Sequence, residues 1–312
     1  MNTNMEERIF IIGAGAVGKA LAVFLKLEGK NVCIIRGSVD NLSTELETIT
    51  IQMEGDATKK CEIEVSSLSS HSALDGLVVV TSKSHGNEKL AESLSQKALN
   101  QPIVLLQNGL GVESPFLSKG FSDIYRCVLF TTCQQISYNL VNFKPVAVSQ
   151  IGVINGDNEK LDHIVSQINN TIFQFRAENN IQLTIWKKAI ANCVFNSICP
   201  LLDTDNGIFL RDKAVMDLAG IVVHECVTIA NYIGVELTVS EVIESVKMIS
   251  KMSDGQLIST LQDIQNKRKT EIETFNFAVV AIAKELGKEH EVLQTKLLGE
   301  LTKMKADLNL NP

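Results

Sequence analysis

Residues 8–37, RIFIIGAGAVGKALAVFLKLEGKNVCIIRG, decide the fold of this chain. Residues 9–12 are a continuous apolar run, as a strand buried on both faces requires. Ala20, Leu21, Phe24 and Leu25 then recur at helical spacing, Gly29 stops the helix, and 32–35 is apolar again. Strand, tight turn, helix and strand make a βαβ unit. Its turn carries Gly13, Ala14, Gly15, Ala16, Val17 and Gly18, the pattern G-x-G-x-x-G. In this context Gly13 permits the tight turn and Gly15 lets a pyrophosphate reach the backbone. Gly18 lets helix and strand pack closely, and the helix N-terminus faces the negative charge. The bland reading is a glycine turn without a ligand. The βαβ setting favours a dinucleotide.

The end of the second strand speaks to which dinucleotide. An NAD-binding chain usually places an acidic residue there, whereas this strand ends CIIRGS with Arg36. A guanidinium suits a 2′-phosphate, so NADP is favoured. Lys83, after the run LVVVTS (77–82), adds a second positive charge at the same edge. Both are otherwise solvated surface cations.

Further strands are predicted at ITIQM (49–53), CEIEV (61–65), LVVVTS, PIVLLQN (102–108), YRCVLFTT (125–132) and AVSQIGVI (147–154). Helices are predicted at 87–99 and 161–170. Alternating strands and helices imply a mostly parallel sheet with helices on both faces. Near residue 178 the pattern changes to helical periodicity, with helices predicted at 184–200, 213–233, 239–252, 257–286 and 290–307. Two domains result: a Rossmann-type α/β domain over 1–178 and an all-α domain over 179–312, joined near AENN (177–180).

Composition narrows the class. The 312-residue chain is 45% hydrophobic with a net charge of −7, and its 29 basic residues form no dense cluster, which argues against nucleic acid. Seven cysteines without a C-x-x-C pair fit reduced thiols in a cytoplasmic protein. The start, MNTNMEER, has no apolar signal region, and no uninterrupted apolar run reaches the ~18 residues that span a bilayer. The five histidines are scattered, so no metal site is expected.

In TIWKKAIANCVFNSICPLL (184–202) no charge follows Lys188 until Asp203. Residues four apart on a helix differ by about 40° around its axis, so Lys188, Asn192 and Asn196 form one stripe and Lys187 points elsewhere. The amides either tie neighbouring helices together or line a pocket beside a proton-donating lysine. Desolvation lowers a lysine's pKa and suits it to general acid work.

With these residues in view, the chain resembles the ketopantoate reductases (2-dehydropantoate 2-reductases) along nearly its whole length. The resemblance rests on the glycine fingerprint with Arg36, Lys83 in TSKS, and Asn108-Gly109 in LLQNGLG. It continues through Trp186, Lys188, Asn192 and Asn196, then Asn206-Gly207, and ends with Ser259 and Glu271 in STLQDIQNKRKTEIE. It implies a helical domain like that of 6-phosphogluconate dehydrogenase. The implied reaction is hydride transfer from NADPH to 2-dehydropantoate, giving pantoate for pantothenate and coenzyme A synthesis. Lys188 is then the proton donor. Asn108, Asn192, Asn196, Asn206 and Ser259 bind substrate, with Asn108 also touching the cofactor. Glu271 lies on the cofactor side. On one continuous helix Ser259 and Glu271 stand about 18 Å apart, which also sends them to different ligands. The implied partner is a small 2-oxo acid, without nucleic acid or membrane; a homodimer is compatible with the pattern. The chain departs from the family at Glu273 and Phe277 in TEIETFNF, and in SDGQLI before Ser259. Another small 2-oxo acid therefore remains open as substrate, as does a non-catalytic NADP sensor.

Overall fold

The computed structural model describes residues 7–310 except 38, 39 and 42. By its contacts the chain divides into two compact units. One runs through Gln107 and resumes over Val112–Ile181; the other comprises Asn108–Gly111 and the segment from Gln182 onward.

The first unit is built on β1 (Arg8–Ile12), α1 (Ala16–Leu27) and β2 (Val32–Arg36), the predicted βαβ. There follow β3 (Glu45–Gln52), β4 (Thr58–Ser67), β5 (Gly76–Val80), α2 (Asn87–Ser95), β6 (Ile103–Leu105) and α3 (Ser114–Ser118). β7 (Ile124–Val128), β8 (Thr131–Ser137), β9 (Leu140–Pro145), β10 (Ser149–Asn155), α4 (Leu161–Ile168) and β11 (Phe175–Ala177) complete it. All strands join one sheet in the order β11-β10-β7-β6-β5-β1-β2-β4-β3-β9-β8. The central strands β2, β1, β5, β6 and β7 are parallel, and their continuous apolar runs are buried on both faces. α1 and α4 cover one face and α2 and α3 the other. From β1 the chain first builds outward through β2, then returns to β5 on the other side. The switch point therefore lies between β1 and β5.

Two expectations need correction here. YRCVLFTT is not one strand. It breaks at Leu129-Phe130, where the Phe130 carbonyl accepts from the Val146 and Ala147 amides, each at 3.0 Å. β7 stays in the parallel core, whereas β8 pairs with β9, a strand unmarked in the sequence, at the far end of the sheet. β9 is held there by Phe143, whose ring meets Phe24 of α1 edge-on at 4.9 Å.

The second unit is helical: α5 (Ile181–Leu202), α6 (Ile208–Arg211), α7 (Lys213–Tyr232), α8 (Val239–Met252), α9 (Ser259–Gln265), α10 (Asn276–Glu285) and α11 (Leu293–Leu310). The continuous helix expected over 257–286 is in fact α9 and α10, separated by a loop and a 3₁₀ turn over Ile272–Thr274. Lys267 takes a positive φ of 52°, and its amide bonds the Ile264 carbonyl at 3.0 Å, closing α9. The charged run NKRK offers no apolar face to carry the helix further.

α7 is apolar enough by composition to span a bilayer, at a mean hydropathy of 1.4. Ala219, Val222, Val223, Cys226, Ile229 and Ala230 are nevertheless buried, and the helix packs against α6, α8, α10 and α11. Glu225 lies on the same buried face at 7% exposure. Its carboxylate accepts from the Gln294 amide at 3.0 Å, and from the Thr295 amide and hydroxyl at 2.8 and 2.7 Å. One side chain of α7 thus caps the amides at the start of α11, which otherwise lack helical partners. Replacing Glu225 with Ala removes the acceptor of both amides and leaves that of Thr295 buried and unpaired. Urea unfolding should show a loss of about 1–3 kcal/mol. An unchanged midpoint would mean the cap is dispensable.

Candidate functional site

In the first unit the parallel register aligns Ile12 with Ile35 and with Val80, and Val80 with Leu105. The carboxyl ends of four strands therefore share one edge. The segments leaving that edge carry the glycine loop, Arg36, Lys83 and Gln107-Asn108. This is the edge where open α/β sheets bind ligands, at the switch point.

The glycine loop fits a dinucleotide. Gly13 has φ +126°, and a Cβ there would lie 2.6 Å from the Ser82 amide nitrogen. A Cβ on Gly18 would lie 2.1 Å from the Gly13 carbonyl oxygen, which also accepts from the Thr81 hydroxyl at 3.0 Å. Both glycines are thus required by close packing at the switch point. Gly15 differs, because nothing among the described residues lies within 4 Å of the position a Cβ would take. Space for a pyrophosphate is open above it. α1 starts there without a side-chain cap and with no acidic residue in its first turn. Its first amides are the donors a phosphate needs.

Arg36 is not a solvated cation. Its side chain is 17% exposed and forms an ion pair with Glu47 of β3. Lys83 is exposed and precedes the 3₁₀ turn Ser84–Gly86. Gln107, unmarked in the sequence reading, is clamped by two groups. It exchanges two 2.8 Å amide bonds with Asn87, both side chains being buried, and it also donates to the Ser82 carbonyl at 2.8 Å. Its own carbonyl accepts from Arg126 at 3.3 Å, and the buried Arg126 is paired with Glu113. The residue before Asn108 is therefore held at side chain and backbone alike.

The remaining residues lie in the second unit. Asn108 is half-buried and is followed by Gly109 at φ +98°. A Cβ on Gly109 would fall 2.4 Å from Thr274 Cβ, and the Leu110 amide bonds the Thr274 carbonyl at 2.9 Å. Thr274 in turn bonds the Glu271 carbonyl through its hydroxyl at 2.9 Å. The Asn-Gly motif and the Glu271 turn, far apart in sequence, thus share one small cluster.

The polar stripe of α5 is graded in depth. Lys188 and Asn192 are half-buried, and Asn196 is 1% exposed. Asn196 Oδ1 accepts from the Ser259 hydroxyl at 3.2 Å, the Thr260 amide at 3.3 Å and the Thr260 hydroxyl at 2.8 Å. The tie between helices is real at this residue, and it leaves Nδ2 as the group to offer a ligand. Ser259 is the first residue of α9 rather than its cap, which is Ile258. Thr260, also unmarked in the sequence, completes the tie. Lys187 lies near Glu241 at the start of α8. The Thr238 hydroxyl, the Thr238 amide and then Lys187 hold that carboxyl below its ordinary pKa.

Asn206 is buried, with its amide on the Gln256 carbonyl at 2.9 Å and its carbonyl accepting from Ser250 at 2.7 Å. Its neighbour Asp205 accepts from Arg211 at 2.7 Å and from the Gly207 amide at 2.8 Å, which hold its carboxyl at a pKa of about 2. All seven cysteines are free thiols, and burial pushes Cys133 and Cys199 up to about 12.

Comparison with known proteins matches this architecture at both ends. The family model for ketopantoate reductase PanE/ApbA covers residues 9–156, and the model for the ketopantoate reductase PanE/ApbA C terminal covers 180–305. The 2-dehydropantoate 2-reductase of Archaeoglobus fulgidus is 25% identical over 93% of this chain and 96% of its own. A PanE/ApbA family ketopantoate reductase from Ralstonia eutropha superposes with a TM-score of 0.82 at 21% identity, covering 97% of this chain and 99% of that one. D-mandelate dehydrogenase, solved with NADH and anilino(oxo)acetate, has the same fold at a TM-score of 0.84, 21% identity and the same coverage. With both of its parts matched in order, the chain belongs to the ketopantoate reductase family.

Proposed function

We propose that this protein is an NADPH-dependent reductase of a small 2-oxo acid, with 2-dehydropantoate as its substrate and pantoate as product. One observation carries the reading: Asn196 of α5 bonds Ser259 and Thr260 of α9, across 63 and 64 residues. Two separated motifs of the family thereby converge on the stripe that holds Lys188.

The glycine loop and the start of α1 hold the dinucleotide phosphates, and Arg36 and Lys83 supply positive charge for a 2′-phosphate. A nicotinamide cofactor bound there supplies the hydride. Lys188 gives its proton to the ketone oxygen and neutralises the developing alkoxide. Asn192, Asn206 and the Nδ2 group of Asn196 hold substrate oxygens. Ser259 meets the carboxylate, and Asn108 and Glu271 serve the cofactor side.

A second substrate class has a specific motive. D-mandelate dehydrogenase shares the fold and acts on an aromatic 2-hydroxy acid. Phe277 also replaces the Gly usual in the family. Cofactor oxidation with 2-dehydropantoate against a panel of aliphatic and aromatic 2-oxo acids separates the two. A higher kcat/KM for an aromatic member would move the substrate assignment, and a silent panel would overturn the reductase reading.

Lys188→Ala should lower kcat by about 10²–10⁴-fold, the range of general acid catalysis, whereas Lys187→Ala should stay near wild type. The reverse pattern would reassign the proton donor. Arg36→Ala should raise KM for NADPH by about tenfold and leave NADH nearly unchanged, because only the former carries the 2′-phosphate. Equal losses would remove Arg36 from that role.

A further inference from the structure

Arg36 does not wait alone for a phosphate. Register explains its partner: Ile34 pairs with Val65, Val65 with Glu45, and Ile63 with Glu47. With side chains alternating along each strand, Arg36 and Glu47 lie on one face, the one packed by α1. There they form an ion pair with side chains 17% and 9% exposed. The pair is single-pronged. Arg36 Nε and Glu47 Oε2 are buried without hydrogen-bond partners among the described residues.

The turn between β8 and β9 closes over this pair. The Tyr138 hydroxyl donates to Glu47 Oε1 at 3.3 Å. The Tyr138 ring lies 5.2 Å from the Arg36 guanidinium and 4.4 Å from the Lys19 ammonium. Lys19, 2% exposed on α1, donates to the Tyr138 carbonyl and to Asn139 Oδ1 at 3.2 Å. Burial lowers the Lys19 pKa, Glu47 acts against that and Arg36 adds to it, so the three groups sense one another. Arg36 is paired with the Glu47 carboxylate, and the Lys19 ammonium lies close enough to feel it.

We propose that Glu47 is a specificity-determining residue for the cofactor. It competes with a 2′-phosphate for Arg36 and so limits the preference for a 2′-phosphorylated nicotinamide dinucleotide over the unphosphorylated form. This rests on the reading that Arg36 meets the cofactor's 2′ position. A phosphate reaching Arg36 either displaces the Glu47 carboxylate or sits beside it as a like charge, and both weaken binding. An unphosphorylated ribose meets neither obstacle. Gln at this position keeps the length of the side chain and an acceptor for Tyr138, and removes only the charge.

The test is equilibrium binding of NADPH and of NADH, by calorimetry, to wild type, Glu47→Gln, Arg36→Ala and the double variant. Glu47→Gln should tighten NADPH by about tenfold and change NADH by less than about twofold. The gain should vanish in the double variant, since it acts through Arg36. Glu47→Thr, neutral and suited to a strand, repeats the measurement if the Gln variant does not fold. A wild-type NADPH/NADH ratio in the Glu47 variants, while Arg36→Ala lowers it, overturns the proposal alone. Parallel weakening of both dinucleotides also overturns it, because Glu47 is then only structural. A wild-type ratio in Arg36→Ala instead overturns the reading of Arg36 beneath it.

Discussion

The close contact at Gly18 is the constraint on which the nucleotide-binding half depends. A Cβ there would lie 2.1 Å from the Gly13 carbonyl oxygen and 2.6 Å from the Thr81 hydroxyl oxygen. Helix α1 can therefore lie against the β1 turn only because Gly18 lacks a side chain. That approach brings the first amides of α1 to the switch point between β1 and β5. It also sets the packing of α1 on the sheet, around Leu21, Phe24 and Leu25. Phe24 in turn receives Phe143 of the distant β9. One atom more at residue 18 would strain all of these contacts together.

The helical unit relies on a different device, the buried side chain that satisfies backbone groups of another element. Glu225 of α7 caps the start of α11, and Asn196 of α5 accepts from the first turn of α9. Thr302 of α11 bonds the Ser197 carbonyl of α5 at 3.2 Å. Pro200 lacks the N–H that the Asn196 carbonyl would receive in an unbroken helix, so α5 loses one bond of its backbone ladder beside its polar stripe. Burying such polar groups is favourable only when they are paired, which makes these ties specific as well as stabilising.

Electrostatics in the first unit follow one pattern: its half-buried and buried arginines already have carboxylate partners. Arg36 has Glu47, and Arg126, which donates to the Gln107 carbonyl, has Glu113. A ligand that reached Arg36 would exchange one partner for another, and its affinity would reflect the difference between them. The family relationship fixes the class of chemistry. Under the proposal made for Glu47, fine preferences rest on such pairings.

The sequence by itself determined what depends on near neighbours. Apolar runs and Gly13, Gly15 and Gly18 marked the βαβ unit, and the four-residue register marked Lys188, Asn192 and Asn196, because strand and helix periods are local. The change of pattern near 178 marked the passage from sheet to helices. Only the tertiary structure decided which distant residue meets which. It paired Arg36 with Glu47 across β4, set Thr274 against Gly109, and gave Asn196 to Ser259 and Thr260. It also carried β8 to the far end of the sheet, whereas the helix expected over 257–286 ends for a local reason, at Lys267 and the charged run NKRK. Those tertiary outcomes turn on burial and on pairing between separate elements, 11 residues apart at Arg36 and Glu47 and 64 at Asn196 and Thr260, which the period of a single strand or helix does not encode.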